Sequence, residues 1–554
     1  MGSDSITWER IGRLWRQWSL TPLPLEVTPM PLPKRLRLHS AIAITVVALC
    51  AGGCSSEDIS RPPVTSSPTE RPTLSPAYRP SGRALAGDVF VHLFEWRWDD
   101  IATECTDVLG PAGVRAVQVS PPQEHLVFTG FPWWQRYQPV SYSLGKSRSG
   151  TRAEFVSMVA QCKAAGVDVY VDAVINHMTA GAGTGSNGTV YTKYAYPGLY
   201  SGADFHAPCS VSNYQSAANV QDCELLGLAD LRTDLTSVQQ TVAAYLIELA
   251  RLGVAGFRID AAKHIQPVEL DAIIGILNRT MSAEGKPAPY VFGEVIDHGG
   301  EAIRASDYYG IGYASGGASD ITEFRFRGVG NKFLGLGGQK LADLSSFSPG
   351  AWQLMPSDKA VVFLENHDTQ RSDGIGYRDG TVFRLANVWM LAQPYGYPSV
   401  LSSYAFDRNS QVGRDAGPPS NAAGETNRVS CAASFETATI GQWICEHRDP
   451  VITRMIAFRR IVAGTDLNRP WDNGGNAIAF SRGDKGFVAI NRESQQVSAT
   501  IATGMAAGNY CDVLTGGKSG AACAGPRVTI DASGAVQLTL PPNSAIAIHS
   551  GTRQ

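Results

Sequence analysis

The chain has 554 residues, of which 44% are hydrophobic and 18% charged, with a formal net charge of −3. That length and apolar content suit several layers of buried core and more than one domain. A near-neutral balance without clustered Lys and Arg argues against nucleic acid or an anionic membrane surface as partner, and favours a neutral ligand.

Lys34, Arg35 and Arg37 precede an apolar run from Ala41 to Ala51, too short to span a bilayer permanently and suited to a signal-peptide core. The run ends in Ala51-Gly52-Gly53-Cys54, which resembles the cleavage box of bacterial lipoproteins, with Ala51 where Leu is usual. Lipidation of Cys54 and plain secretory cleavage both stay open. A hydrophobic core normally lies near the first residue, so Met30 is the expected start and residues 1–29 an upstream extension. Residues 1–54 therefore read as extension and export segment. Residues 55–85, rich in Pro, Ser, Thr and Arg, read as a disordered tether that cannot offset its ordering entropy. The folded part is expected outside the cell or held at its surface.

Of ten cysteines, Cys50 and Cys54 fall in the export segment, leaving Cys105, Cys162, Cys209, Cys223, Cys431, Cys445, Cys511 and Cys523. An even set in an exported chain fits disulfides, with free buried thiols as the alternative. The last three neighbouring couples are each about a dozen residues apart, closures worth about 2–4 kcal/mol each when bonded. No Cys-x-x-Cys spacing occurs, which argues against zinc.

From residue 86 onward strand-like runs alternate with helical ones, as in βα units around a parallel sheet. The runs at 89–95, 169–177, 228–231, 256–260, 292–295 and 363–368 are mostly apolar and carry carboxylates and histidines at their C-terminal ends, the pattern by which a (β/α)8 barrel assembles an active site on one face. A strand at 116–120 follows the first, and a helix is expected over 153–165. The stretch 237–252 predicts another helix: Ser237 and Gln240 form a capping-box pair, and Val238, Val242, Tyr245, Leu246, Leu249 and Leu252 make one apolar face. Between His177 and Asp230 the pattern lapses into Gly, Ser, Thr, Asn and Tyr, too long for an ordinary loop. Beyond Asp466 short alternating strands such as 486–490 and 544–548 take over. The expected organisation is a barrel over 86–176 and 235–465, a small inserted domain over 177–234, and a C-terminal antiparallel β-sandwich over 466–554.

Arg258 and Asp260 are two apart on one strand and so point to the same side, toward the barrel mouth, where the guanidinium would keep Asp260 ionised. An ionised carboxylate suits a nucleophile at a sugar carbon, and a neighbouring carboxyl must protonate the departing oxygen; Glu294 is the candidate acid. Alone, a Glu at a strand end is more often a surface residue, but Asp260, Glu294 and Asp368 recur in ordered βα context. Trp133, Trp134, Tyr137 and Gln138 place aromatic faces and an amide in the loop after the second strand, fit for stacking on sugars; a loop-anchoring core cluster is the alternative. Asn176 and Asp230 flank the insert with hard oxygen donors, a sensible calcium site, though such residues commonly cap turns instead.

Together with Val91-His92-Leu93-Phe94-Glu95-Trp96-Arg97-Trp98, Gln118-Val119-Ser120-Pro121-Pro122, Arg136-Tyr137-Gln138-Pro139-Val140-Ser141-Tyr142 and Asp172-Ala173-Val174-Ile175-Asn176-His177-Met178, these runs resemble the α-amylases of glycoside hydrolase family 13, close to the animal-type enzymes and their bacterial relatives. The resemblance extends from about Asp88 to His549. It implies endo-hydrolysis of α-1,4-glucans such as starch and glycogen with retention, with Asp260 as nucleophile, Glu294 as acid and base, and Asp368 as the third carboxylate that orients sugar hydroxyls. His177, Arg258 and His367 would surround the reacting sugar, Trp133, Trp134, Tyr137 and Gln138 would line the non-reducing side, and Tyr214, Lys263 and His264 the leaving-group side. One structural Ca2+ would be held by the side chains of Asn176 and Asp230 and the backbone carbonyls of Gln221 and His264. The cysteines would pair as Cys105 with Cys162, Cys209 with Cys223, Cys431 with Cys445, and Cys511 with Cys523.

Two departures matter. Chloride-activated members hold the anion with two arginines and an asparagine; Arg258 and Asn366 are present, but Ser399 occupies the second arginine's place. A hydroxyl contributes much less to anion binding than a guanidinium, so activity should be independent of chloride, and a large drop in rate on its removal would overturn this. The segment 371–380 does not match the Gly-rich mobile loop of the animal enzymes, so gating is not carried over. A maltooligosaccharide-forming or transglycosylating relative would share the covalent intermediate, and a non-catalytic glucan-binding protein would share the fold but generally lose the three carboxylates. A monomer without an appended starch-binding domain is expected, with modest adsorption to granules.

Overall fold

In a computed structural model of the protein, residues 86–372 and 374–554 are described. The export segment with Cys54, and the tether over 55–85, lie outside the described residues.

Eight parallel strands close into a barrel: β1 (Phe90–Leu93), β2 (Ala116–Val119), β3 (Asp168–Ala173), β4 (Gly256–Ile259), β5 (Tyr290–Gly293), β6 (Ser319–Thr322), β7 (Ala360–Val362) and β8 (Tyr397–Ser402). Each pairs with its sequence neighbours, and β1 closes on β8 through Phe90 opposite Ser399. The floor of the interior is aromatic, with Phe90, Tyr170, Tyr290, Phe292 and Tyr397 in one buried cluster. Gly256 belongs to that packing, because a Cβ there would stand 2.7 Å from the Tyr170 ring and 2.8 Å from the Tyr290 carbonyl. Since side chains alternate along a strand, Tyr170 in the floor places Asp172 on the same face, one layer nearer the mouth.

Helices α1 (Trp98–Glu104), α2 (Arg152–Ala164), α3 (Thr236–Arg251), α4 (Pro267–Ala283), α5 (Gly328–Leu334), α6 (Thr381–Ala392) and α7 (Pro450–Ile461) accompany the barrel. The helix expected over 153–165 starts one residue earlier, at Arg152, because Thr151 and Glu154 cap it reciprocally. The expected cap at Ser237 is corrected: α3 begins at Thr236 behind Leu235, which makes no side-chain cap. The Gln239 N–H already reaches the Leu235 carbonyl at 3.0 Å, so Ser237 lies inside the first turn. Its apolar face is as expected, with Val238, Val242, Tyr245, Leu246 and Leu249 buried.

Between β3 and β4 the insert carries a short hairpin (Gly183–Thr184 with Val190–Tyr191), a helix (Ala217–Gln221) and the Cys209–Cys223 disulfide. Its two ends are zipped together at the barrel mouth: His177 bridges Asp230, and the Leu231 N–H donates to the Asn176 carbonyl at 3.0 Å. Beyond the barrel, β9 (Leu467–Asp472), β10 (Ala477–Arg482), β11 (Gly486–Asn491) and β16 (Ser544–His549) form one antiparallel sheet; β12 (Val497–Ala502), β13 (Gly508–Cys511), β14 (Arg527–Ile530) and β15 (Ala535–Leu540) form the second. Phe487, Ile501, Val528, Val536 and Ile548 fill the space between them. β11 is buried on both faces because Val488 and Ile490 join the core shared with the barrel helices, whereas β15 alternates between buried and exposed. The remaining disulfides are Cys105–Cys162, Cys431–Cys445 and Cys511–Cys523, the pairing the resemblance implied.

Candidate active site

The segments that follow β4, β5 and β7 deliver Asp260, Glu294 and Asp368 to one cleft of about 760 Å³, and β3 carries Asp172, fully buried, beneath it. Arg258 stands between them. Its Nη1 donates to Asp172 at 2.6 Å and to Asp260 at 2.9 Å, and its Nη2 meets Glu294 at 2.8 Å. Register explains this: Asp172 lies opposite Arg258 on the neighbouring strand, and Arg258 opposite Phe292, two residues before Glu294. The second oxygen of Glu294 accepts the Ala261 N–H at 2.9 Å, from a left-handed residue that follows Asp260.

The guanidinium expected to keep Asp260 ionised stands beside it, but it is shared with Asp172 and Glu294. Burial pushes the carboxyls of Asp172 and Asp260 upward and Arg258 opposes it, while the charge on Glu294 adds to the upward push on both. Asp368 is enclosed by the cleft with a side chain 24% exposed, and is pushed up to about 7 by burial and by Glu294. Burial and mutual repulsion thus act on these carboxyls against the charge of Arg258, the balance by which such a site separates the protonation of neighbouring acids.

The turn that carries Asp368 is shaped by Asn366, whose Oδ1 accepts the N–H groups of Asp368 and Thr369 at 3.1 and 2.8 Å. His367 packs flat on Tyr137, with ring centroids 5.1 Å apart, and lies 3.3 Å from Asp368 through Nε2. Burial holds its imidazole well below the ordinary range, so it is neutral. The Tyr137 hydroxyl donates to Asp172 at 2.9 Å, and His177 Nε2 meets the Tyr137 carbonyl at 3.0 Å. Trp133 is fastened by its indole N–H to the Arg414 carbonyl at 3.1 Å.

Trp133, Tyr137, His177, Asp260, Lys263, His264, Glu294, His367 and Asp368 all face the cleft. Arg258 lies behind the carboxylates. Trp134 packs against Phe128, the Gln138 Oε1 accepts the Ala180 N–H at 3.1 Å and so ties the insert to the barrel, and the Tyr214 ring lies 5.0 Å from the Lys263 ammonium. Sequence reasoning did not single out Asp172, Glu301 or Arg371. Asp172 was recoverable from strand parity with Tyr170. Glu301, ion-paired with Lys263, and Arg371, three residues past Asp368, carry no signal in the chain.

Among the described residues no three or more His, Cys, Asp or Glu side chains gather as a metal cluster, so a cation would have to draw on amide and carbonyl oxygens. Asn176 and Asp230 are both buried and 3.2 Å apart through Nδ2 and Oδ1, and His206 meets the other Asp230 oxygen at 2.8 Å. Burial pushes Asp230 up to about 7. His264 Nδ1 meets the Val220 carbonyl at 2.8 Å, which draws the end of the helix carrying Gln221 against the 262–264 turn. Hard oxygen donors around a buried acid fit calcium.

Comparison with known proteins agrees with this geometry. The family described as "Alpha amylase, catalytic domain" matches residues 112–287, and "Alpha amylase, C-terminal all-beta domain" matches residues 471–551. An α-amylase of Thermomonospora curvata is 44% identical over 86% of this chain and 75% of its own length; one of Tribolium castaneum is 42% identical over 83% and 93%. The pancreatic α-amylase of Sus scrofa is 41% identical over 84% of this chain and 94% of its own. The solved structure of a Glu-to-Gln variant of α-amylase I from Eisenia fetida with maltohexaose superposes with a TM-score of 0.77 at 38% identity, covering 85% of this chain and 99% of that one. With relatives 41–44% identical across most of both chains, the chain belongs to the α-amylase family of glycoside hydrolases.

Proposed function

We propose that this glycoside hydrolase cuts α-1,4-glucosidic bonds within starch, glycogen and related glucans by double displacement, with Asp260, Glu294 and Asp368 as its catalytic residues. The observation that carries the assignment is that Asp260 and Glu294 occupy the two terminal nitrogens of one guanidinium. Carboxyls sharing a fork in this way lie close together, as the separation of about 5 Å in retaining glycosidases requires. A carboxylate oxygen of Asp260 bonds to the anomeric carbon while the glycosidic C–O bond breaks and its oxygen takes the proton of Glu294. Water then gives a proton to Glu294 and its oxygen to the anomeric carbon, releasing Asp260; two inversions give net retention. Asp368 and His367 would bind hydroxyls of the reacting sugar, Trp133 and Tyr137 its apolar faces, with Trp134 and Gln138 beyond them, and Tyr214, Lys263 and His264 the leaving-group side. Arg258 holds the carboxylates in place, and its occupation by three of them, with Ser399 on β8, supports activity without chloride.

Calcium would be held by Asn176 and Asp230 with the carbonyls of Gln221 and His264. When bound, it supplies charge that keeps Asp230 ionised and locks the insert to the barrel. Four disulfides support an exported protein, and among the described residues no helix is long and apolar enough to cross a membrane.

The test follows iodine colour and reducing ends of starch together, for wild type and Glu294→Gln. Colour that collapses well ahead of reducing-end release, with at least about a 10²-fold loss of kcat in the variant, is expected. Slow colour loss with one small product would point to an exo-acting relative, and an active variant would remove Glu294 from its role.

A further inference from the structure

Arg371 is 8% exposed and sits at the cleft wall between two parts of the site that the sequence holds far apart. Each of its nitrogens is directed to a different element. Nη1 donates to the carbonyl of His367, the residue before Asp368; Nη2 donates to the Tyr404 hydroxyl at 3.0 Å; Nε donates to the Arg414 carbonyl at 3.0 Å. That same Arg414 carbonyl receives the Trp133 indole N–H. The guanidinium also lies over the Trp133 ring, 4.4 Å from its centroid, and 4.7 Å from that of Phe406. A planar cation with directional donors on its edge and aromatic rings against its faces holds one orientation, which a flexible ammonium does not.

We propose that Arg371 is a positioning residue that sets the Trp133 stacking surface and the His367–Asp368 turn in register, so that a sugar lying on Trp133 presents its hydroxyls to Asp368. The inference rests on the assignment of Asp368 made above. Two elements joined through one guanidinium move together. Trp133 and His367 also touch directly, ring centroids 5.8 Å apart, and both pack on Tyr137. Ring contacts of this kind allow sliding and tilting that the directed bonds of Arg371 to the His367 and Arg414 carbonyls do not. Displacement of a catalytic group by about 1 Å costs on the order of 10²-fold in rate, so the effect falls on turnover more than on ground-state binding.

The test compares Arg371→Ala, Arg371→Lys and Asp368→Asn on a short maltooligosaccharide, with kcat and KM separated and thermal melts of each. The expected result is a fall in kcat of at least about tenfold in Arg371→Ala with a smaller change in KM. Arg371→Lys should not restore the rate, because it keeps the charge but not the fork, whereas millimolar guanidinium added to Arg371→Ala should restore part of it and methylammonium none. A kcat within about twofold of wild type, full rescue by Lys, or a drop without guanidinium rescue in a folded variant would overturn the proposal. If Arg371→Ala does not fold, Tyr404→Phe, which removes one acceptor of the fork, should lower kcat about twofold or more, and an unchanged kcat would overturn it. An active Asp368→Asn would instead remove the assignment on which the inference stands.

Discussion

At the scale of residues, the cleft gathers acids whose charges oppose one another, and that opposition has a cost in stability. Burial and Glu294 push Asp368 up to about 7, so across roughly pH 4 to 7 the folded chain holds a proton there that the unfolded chain has lost, and stability contributed by the group falls as pH rises through that window. Asp368→Asn cannot ionise. Its melting temperature is expected to exceed that of wild type at pH 8 and to match it at pH 4, while activity is lost at both; equal melting temperatures at pH 8 would contradict the shift. Much of this site was legible in the chain. Asp260, Glu294 and Asp368 could be placed because each follows an apolar run, and a strand end in a barrel is a mouth position. Sharing of Arg258 among three carboxylates was not legible, because it depends on the register of β3, β4 and β5.

At the scale of elements, the neck of the insert is closed by the Asp230 bridge to His177 and the Leu231 bond to Asn176. Its body is tied to the barrel loops by the Gln138 bond to Ala180, by Glu124 to Asn187 and Thr189, and by Gln221 to Tyr308. A cation between Asn176 and Asp230 would reinforce that neck. Calcium at about 100 times its Kd should stabilise the fold by about 2.7 kcal/mol. The expected outcome is a melting temperature raised by millimolar calcium and lowered by chelator in wild type, with the difference erased in Asp230→Asn; a calcium response that survives the substitution would place the ion elsewhere. Local patterning located α2 and α3 to within a residue or so. It misplaced the start of α3 because Ser237 and Gln240 have capping-box spacing, while Asp234 and Leu235 complete the turn that brings the chain out of the insert. The cap of α2 at Thr151 obeys the same rule and was not read, as the helix was expected to begin further on.

At the scale of the whole molecule, Cys105–Cys162 closes 57 residues, spanning β2 and joining the end of α1 to α2 across the first βα units of the barrel. Loop-closure entropy assigns such a bond about 4 kcal/mol. Replacing both cysteines by Ala should lower the unfolding free energy by an amount of that order, read from denaturant melts, with kcat on starch kept at temperatures where the variant is folded. Unchanged stability would mean that the unfolded chain is already compact there. The β-sandwich contributes differently, since β11 shares core with α6 and α7 while no sandwich residue faces the cleft.

Periodicity of apolar residues and the chemistry at the end of each run are local matters, and they mark β1 to β5, the insert after β3, antiparallel strands beyond residue 466 and the carboxylates at the barrel mouth. β6 and β8 are not among the runs picked out, and the run at 228–231 makes only isolated bridges at the end of the insert. Tertiary structure alone decided which side chains meet. Asp172, Arg258, Asp260 and Glu294 come from three strands, and Arg371 joins Trp133 to His367 across 238 and 4 residues of chain respectively. Such contacts depend on barrel closure and strand register, and these are set by the packing of all eight strands around Phe90, Tyr170, Tyr290, Phe292 and Tyr397, not by any segment alone.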